Sequence, residues 1–140
     1  RLVKSPKVYI RDSGLVHALL GIDSFDRLLG HPVVGNSWEG FVIENLLNAA
    51  PFNTTPGFYR TSNGNEVELL LDIPGQGLWV IEIKRGMESK PKRGFYQACE
   101  DLEPAKRFMV YPGHDRYPLG DGVEAISPKL LVEQLLALDR

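Results

Sequence analysis

The residues capable of chemistry concentrate in two strand-like runs: Glu66-Val67-Glu68, and Glu82-Ile83-Lys84 at the end of the run that follows. Side chains alternate across a strand, so Glu82 shares a face with Lys84, and Glu66 with Glu68. A hairpin between the two runs brings Glu68 close to Glu82. Two carboxylates so placed form an oxygen-rich site for Mg²⁺ or Mn²⁺; Mg²⁺ takes carboxylates, waters and phosphate oxygens in preference to an all-protein cage. The backbone carbonyl of Ile83 can add one ligand. Lys84 can orient or help deprotonate a metal-bound water, or hold the negative charge that develops on a phosphodiester under attack. The combination suits phosphodiester hydrolysis. By itself, however, Glu-X-Lys is also how an exposed antiparallel strand places a cross-strand ion pair, and the tripeptide alone favours that plainer reading.

Holding such a pair requires a sheet, and the sequence predicts one. Asn36 or Ser37 is a good N-cap for a helix in which Trp38, Phe41, Val42, Asn45, Leu46 and Ala49 recur at helical spacing until Pro51 stops it. Residues 57–61, 66–72 and 78–84 then predict an antiparallel meander, broken by Ser62-Asn63-Gly64-Asn65 and by Pro74-Gly75-Gln76-Gly77. Leu69, Leu71, Ile81 and Ile83 take its buried face, while Leu70 and Val80 require that part of the polar face be covered too. A helix over 92–102 and a strand over 107–111 follow, the latter ended by Pro112-Gly113. Residues 123–126 read as a last edge strand, and Ser127-Pro128 starts a final helix carrying Leu130, Leu131, Leu135 and Leu136. Earlier in the chain, 7–12 predicts a strand and 14–20 a short apolar helix. The whole is an α/β layer arrangement with a mixed central sheet flanked by helices. We divide it into an N-terminal extension (1–35), a core (36–126) and a C-terminal amphipathic helix (127–140).

Composition sets outer bounds. With 140 residues, 43% hydrophobic and 24% charged, the chain has the make-up of one globular domain, not of a disordered or fibrous segment. Its apolar runs fall far short of the ~20 residues of a membrane-spanning helix. Lys and Arg number 16 against 18 Asp and Glu, so a whole-molecule basic field for nucleic acid is absent and any such contact is local. The candidate for it is Lys84, Arg85, Lys90, Lys92 and Arg93, interrupted by Glu88. Such a run is ordinarily a solvated loop and helix start, but beside a metal site it reads as a phosphate-binding rim. A single cysteine, Cys99, excludes an internal disulfide and a cysteine-based zinc site, and fits a reducing cytosol. It has no evident base, so it is not read as a nucleophile. His17, His31 and His114 show no ligand spacing. The first residue is Arg1, not Met, and the chain reads as a piece of a longer protein.

The order of elements sharpens the chemistry. A helix bearing Glu39, a meander bearing Glu68 and Glu82-Ile83-Lys84, and a helix bearing Gln97 resemble the PD-(D/E)XK nuclease superfamily, whose restriction-endonuclease-like core runs αβββαβ. The start Gly35-Asn36-Ser37-Trp38-Glu39 is similar to the glycine-to-glutamate spacing of archaeal Holliday-junction resolvases. A resemblance over nearly the whole chain is carried by Lys4-Ser5-Pro6-Lys7-Val8-Tyr9, Asp12-Ser13-Gly14-Leu15, Trp38-Glu39 to Glu44-Asn45-Leu46-Leu47, Tyr59-Arg60-Thr61, Asn65-Glu66-Val67-Glu68 and Ile81-Glu82-Ile83-Lys84. These segments resemble the domain of unknown function at the C-terminal end of many prokaryotic AAA+ superfamily ATPases. The resemblance implies a P-loop ATPase region N-terminal in the same longer chain, DNA as a candidate partner, no membrane, and a cytoplasmic location.

Carried over by resemblance, Glu68 and Glu82 hold the metal, with Lys84 acting on the attacking water or the phosphate. Glu39 binds a metal water or a second ion, and Gln97 steadies Lys84 or the substrate. Glu44 lies about 140° around the helix from Glu39, so the two cannot share one site. The family usually has Glu-Val-Asp where this chain has Glu66-Val67-Glu68. The ligand at 68 is therefore one methylene longer, with Glu66, and less readily Asp72, as substitutes. Two functions follow as expectations: a metal-dependent nuclease domain serving an ATPase, and a noncatalytic module that keeps the nuclease fold for protein interaction or regulation.

Overall fold

A computed structural model describes residues 34–87 and 90–138. The strand and short helix expected over 7–20 lie outside the described residues. Within them the elements run α1 (Val34–Ala49), β1 (Thr55–Arg60), β2 (Glu66–Ile73), β3 (Gly77–Ile83), α2 (Arg93–Leu102), β4 (Lys106–Val110), β5 (Arg116–Gly120), β6 (Val123–Ile126) and α3 (Pro128–Leu136). The six strands form one mixed sheet in the order β1-β2-β3-β4-β6-β5. The meander β1-β2-β3 is antiparallel, β3-β4 and β4-β6 are parallel, and β5 returns antiparallel on β6.

Alternation along the strands sorts the sheet into two apolar layers. On one face Leu69, Leu71, Ile73, Trp79, Ile81, Phe108 and Val110 are buried against Trp38, Val42 and Leu46 of α1 and Leu131 and Leu135 of α3. On the other, Leu70 and Val80 are buried with Phe95, Ala98 and Cys99 of α2. This second layer is the cover that Leu70 and Val80 demanded.

The hairpins are shaped by residues that accept left-handed backbone. Gly64, at φ +89°, sits in the β1-β2 turn, where Thr61 N–H donates to the carbonyl of Asn65 at 2.9 Å. Gly94 is needed for a different reason, close approach. A Cβ there would lie 3.1 Å from the amide nitrogen of Glu66 and 3.2 Å from Asn65, so the first turn of α2 rests directly on the start of β2.

Two sequence expectations are corrected. The helix begins at Val34, so Asn36 and Ser37 fall within its first turn and not at its cap position. Residues 123–126 form the expected strand, but it is not an edge. β5 lies outside it, at the sheet edge, where Pro118 and Gly120 are tolerated because one side of the strand goes unpaired.

The end of the sheet is closed by α3, whose start was legible. Ser127 is the N-cap, its buried hydroxyl accepting from Leu130 N–H at 3.2 Å, with Pro128 at the first helical position. Ser127→Ala is expected to lower stability by about 1 kcal/mol, read as a smaller urea midpoint with unchanged slope.

Candidate functional site

The polar residues of the meander lie at the C-terminal end of β3. The β2-β3 register pairs Leu69 with Ile81 and Leu70 with Val80. The ladder stops at Leu69 and Ile81, and the β1-β2 register shifts between Gly57 and Tyr59, so that Glu68 falls at an irregularity of β2. There the ladder gives way to side chains, and the Ile83 N–H faces Glu68 Oε1 at 3.4 Å, a long contact.

Glu82 is 2% exposed and Lys84 7%, an unusual pair of residues to bury. Lys84 Nζ lies 3.1 Å from Glu82 Oε2, so each charge is offset by the other. The same Oε2 accepts a 2.9 Å hydrogen bond from the backbone N–H of Lys92. Lys92 is the N-cap of α2 and makes no side-chain cap, and the first turn of the helix holds no acid. Glu82 therefore brings from the sheet the negative charge that a helix N-terminus favours. Its charge reaches further along α2. Burial pushes the Cys99 thiol up to about 11, with Arg107 opposing and Glu82 adding a smaller upward push. Burial likewise raises Tyr96, followed by Asp121 and then Glu82. Cys99 is thus a protonated packing residue at neutral pH.

The backbone of Lys84 is pinned on both sides. Its N–H donates to the carbonyl of Val110 on β4 at 2.8 Å, and its carbonyl accepts from the indole Nε1 of Trp38 on α1 at 2.8 Å. The helix that carries Glu39 is thereby fastened to the strand end; Glu39, next to Trp38 in sequence, is half-buried. Arg85, Lys90, Lys92 and Arg93, which follow Lys84 in the chain, are all exposed. Gln97 does not reach Lys84. Its Nε2 donates to Asp101 Oδ1 at 3.0 Å, while Asp101 Oδ2 accepts from the hydroxyl of Tyr59 at 2.5 Å, a link from α2 to β1. Among the described residues no group of three or more His, Cys, Asp or Glu is gathered to hold a metal ion. An ion at this strand end would draw on two carboxylates and the Ile83 carbonyl.

Sequence reasoning passed over Trp38, read only as packing, and the Lys92 amide. Both left a signal. A buried indole N–H usually finds an acceptor, as that of Trp38 does although that of Trp79 does not, and a helix opened by Lys-Arg without Ser, Thr, Asp or Asn draws its cap from elsewhere.

Over residues 34–131 the sequence matches the family described as "Domain of unknown function (DUF4143)". The chain belongs to this family. The DUF4143 domain is also 42% identical over 141 residues to the uncharacterized proteins Rv2008c of Mycobacterium tuberculosis and Mb2031c of Mycobacterium bovis, covering 96% of this chain and 31% of each relative. It thus spans about a third of the length of these curated relatives. No solved structure matches it significantly. Among the described residues of the DUF4143 domain, no helix is long and apolar enough to cross a membrane.

The buried pair makes a stability prediction. Lys84→Met strands the Glu82 carboxylate with only an amide, and is expected to destabilise by about 3–5 kcal/mol. Adding Glu82→Gln removes the stranded charge. The double variant should then be more stable than the sum of the two single effects, as a double-mutant cycle in urea would measure.

Proposed function

We propose that this DUF4143 domain is a nuclease-like accessory module of a longer chain, acting on phosphodiesters at the C-terminal end of β3. The observation that carries the reading is Glu82 and Lys84 buried as a pair beside four exposed cations, Arg85, Lys90, Lys92 and Arg93. Burying an ion pair is a poor way to stabilise a fold, since apolar residues of similar volume do as well or better. A buried pair beside an exposed basic rim is accounted for more directly by chemistry on an anion. The order helix, three-stranded meander, helix, parallel strand supports a restriction-endonuclease-like αβββαβ core. The resemblance to the domain that follows AAA+ ATPases supports a P-loop ATPase region in the same longer chain and a cytoplasmic setting.

The donor set suits a hard divalent ion. Mg²⁺ is ordinarily held by one or two carboxylates with waters and substrate phosphate, which is what Glu68, Glu82 and the Ile83 carbonyl can supply. When bound, Mg²⁺ or Mn²⁺ polarises a phosphoryl oxygen and lowers the pKa of a water. The chain does the rest. Arg85, Lys90, Lys92 and Arg93 hold neighbouring phosphates by charge, so binding weakens with salt. Lys84 Nζ holds the negative charge developing on the attacked phosphate, and Glu39 steadies water at the rim.

One observation favours a second reading, a noncatalytic module that docks a partner or regulates the ATPase. Both contacts of Glu82 fall on Oε2, from Lys84 and from the Lys92 amide, and together they account for its burial without any ion. The longer ligand at Glu68 points the same way.

Calorimetry with Mg²⁺ and Mn²⁺, paired with cleavage assays at low salt on branched, single-stranded and duplex DNA and on RNA, separates the two. The nuclease reading expects divalent binding at millimolar concentration or tighter, and metal-dependent cleavage lost in Lys84→Ala while circular dichroism shows the variant folded. Glu68→Asp should strengthen metal binding. If neither the native domain nor Glu68→Asp binds an ion, the module reading takes its place.

A further inference from the structure

The three last residues of β3's run are each held by a different element. Glu82 is bound to the start of α2 through the Lys92 amide, Ile83 meets Glu68 of β2, and Lys84 is fixed by Val110 of β4 and Trp38 of α1. Of the two tethers on Lys84 itself, the Val110 bond continues the parallel ladder, and the indole is the one that strand geometry does not require. β3 ends at Ile83, so the carbonyl of Lys84 has passed beyond the sheet ladder. It would be an acceptor without a partner in a buried place. Trp38, 1% exposed, supplies the donor at 2.8 Å across 46 residues of sequence.

We infer that Trp38 is a positioning residue: its indole N–H fixes the Lys84 backbone, and so holds Nζ against Glu82 and within the candidate site. The inference deepens the proposed function, and rests on it for the claim that Lys84's placement matters to chemistry. A lysine has four side-chain torsions, and its ammonium stays in one place only if its backbone and its partner are both fixed. The amide of Lys84 sets one side of its peptide plane through Val110, and the indole sets the other. With the indole removed, the bend at Arg85-Gly86 can draw Lys84 outward, and the ammonium is then free to leave Oε2 for water. Packing alone does not explain Trp38's role. The ring stacks on Phe41 at 6.1 Å and lies in the α1-sheet layer, contacts that any large ring could satisfy. The polar end of the indole is what is particular to tryptophan.

The test replaces Trp38, in the full chain, with 3-benzothienylalanine, which keeps the bicyclic shape and deletes only the N–H. Trp38→Phe serves as a second variant. Each protein is acylated with limiting reagent, without metal or nucleic acid, and modification of Lys84 is measured by peptide mass spectrometry against exposed Lys90, Lys92 and Lys129. In the native chain Lys84 should react far more slowly than the exposed lysines. In the benzothienylalanine variant its rate relative to Lys92 should rise several-fold, with the same direction in Trp38→Phe. An unchanged ratio in both variants overturns the inference. So does a proportionate rise at every lysine, which reports general loosening and no particular hold on Lys84. Because the readout needs no cleavage, a domain that proves to be no nuclease can still pass or fail this test.

Discussion

A carboxylate and an ammonium placed out of water at the end of β3 impose the main constraint on this domain. Neither Glu82 nor Lys84 can be buried alone, since an uncompensated charge in the interior costs several kcal/mol. Their contact at 3.1 Å offsets the charges, but it does so only while the strand end stays in place. Four elements hold it there. β4 continues the sheet past the last β3 residue, α1 reaches in with an indole, β2 contributes a carboxylate, and α2 begins where Glu82 can take its first free amide. Rearranging any of them exposes one charge or strands the other.

The rest of the fold can be understood as the scaffold for that junction. Leu69, Leu71, Ile73, Trp79, Ile81 and Ile83 make an apolar face that α1 and α3 seal by burial, while Val67, across the β2 irregularity, is buried in the opposite layer. That layer is divided. Leu70 and Val80 are covered by Phe95, Ala98 and Cys99, while farther along β3 Glu82 and Lys84 take over. The start of α2 marks the border between the two parts. Gly94 lets its first turn sit on the backbone of Glu66, and the next residues turn their apolar side to the sheet. A helix docked at this height covers the apolar half and leaves its own N-terminus to the carboxylate.

Much of this was legible because it depends on period and local chemistry. The alternation of Leu69, Leu71, Ile81 and Ile83, the glycine-rich turns and the Ser127-Pro128 cap each specify their element with few competing choices. β5 went unassigned in the sequence because Pro118 and Gly120 break the strand pattern, and an edge strand, paired on one side only, permits them. The site divides in the same way. That Glu82 and Lys84 share a face follows from strand periodicity. That Glu82 caps α2 and that Trp38 holds Lys84 depends on how helices settle on the sheet, across 10 and 46 residues of sequence. Gln97, read from the sequence as steadying Lys84 or the substrate, has its amide N–H taken by Asp101 one turn on, a contact within its own helix.

The claim most exposed to refutation is that Glu82 serves two cations, Lys84 in the resting domain and a divalent ion in the working one. Crystals grown with Mn²⁺ and measured at its absorption edge address it directly, because anomalous scattering locates the ion independently of any assay. The account predicts a peak bounded by carboxylate oxygens of Glu68 and Glu82 and the carbonyl of Ile83, with Lys84 Nζ shifted from Oε2 toward the open side. A map with no peak there at saturating Mn²⁺, and the Glu82–Lys84 pair intact, would contradict it.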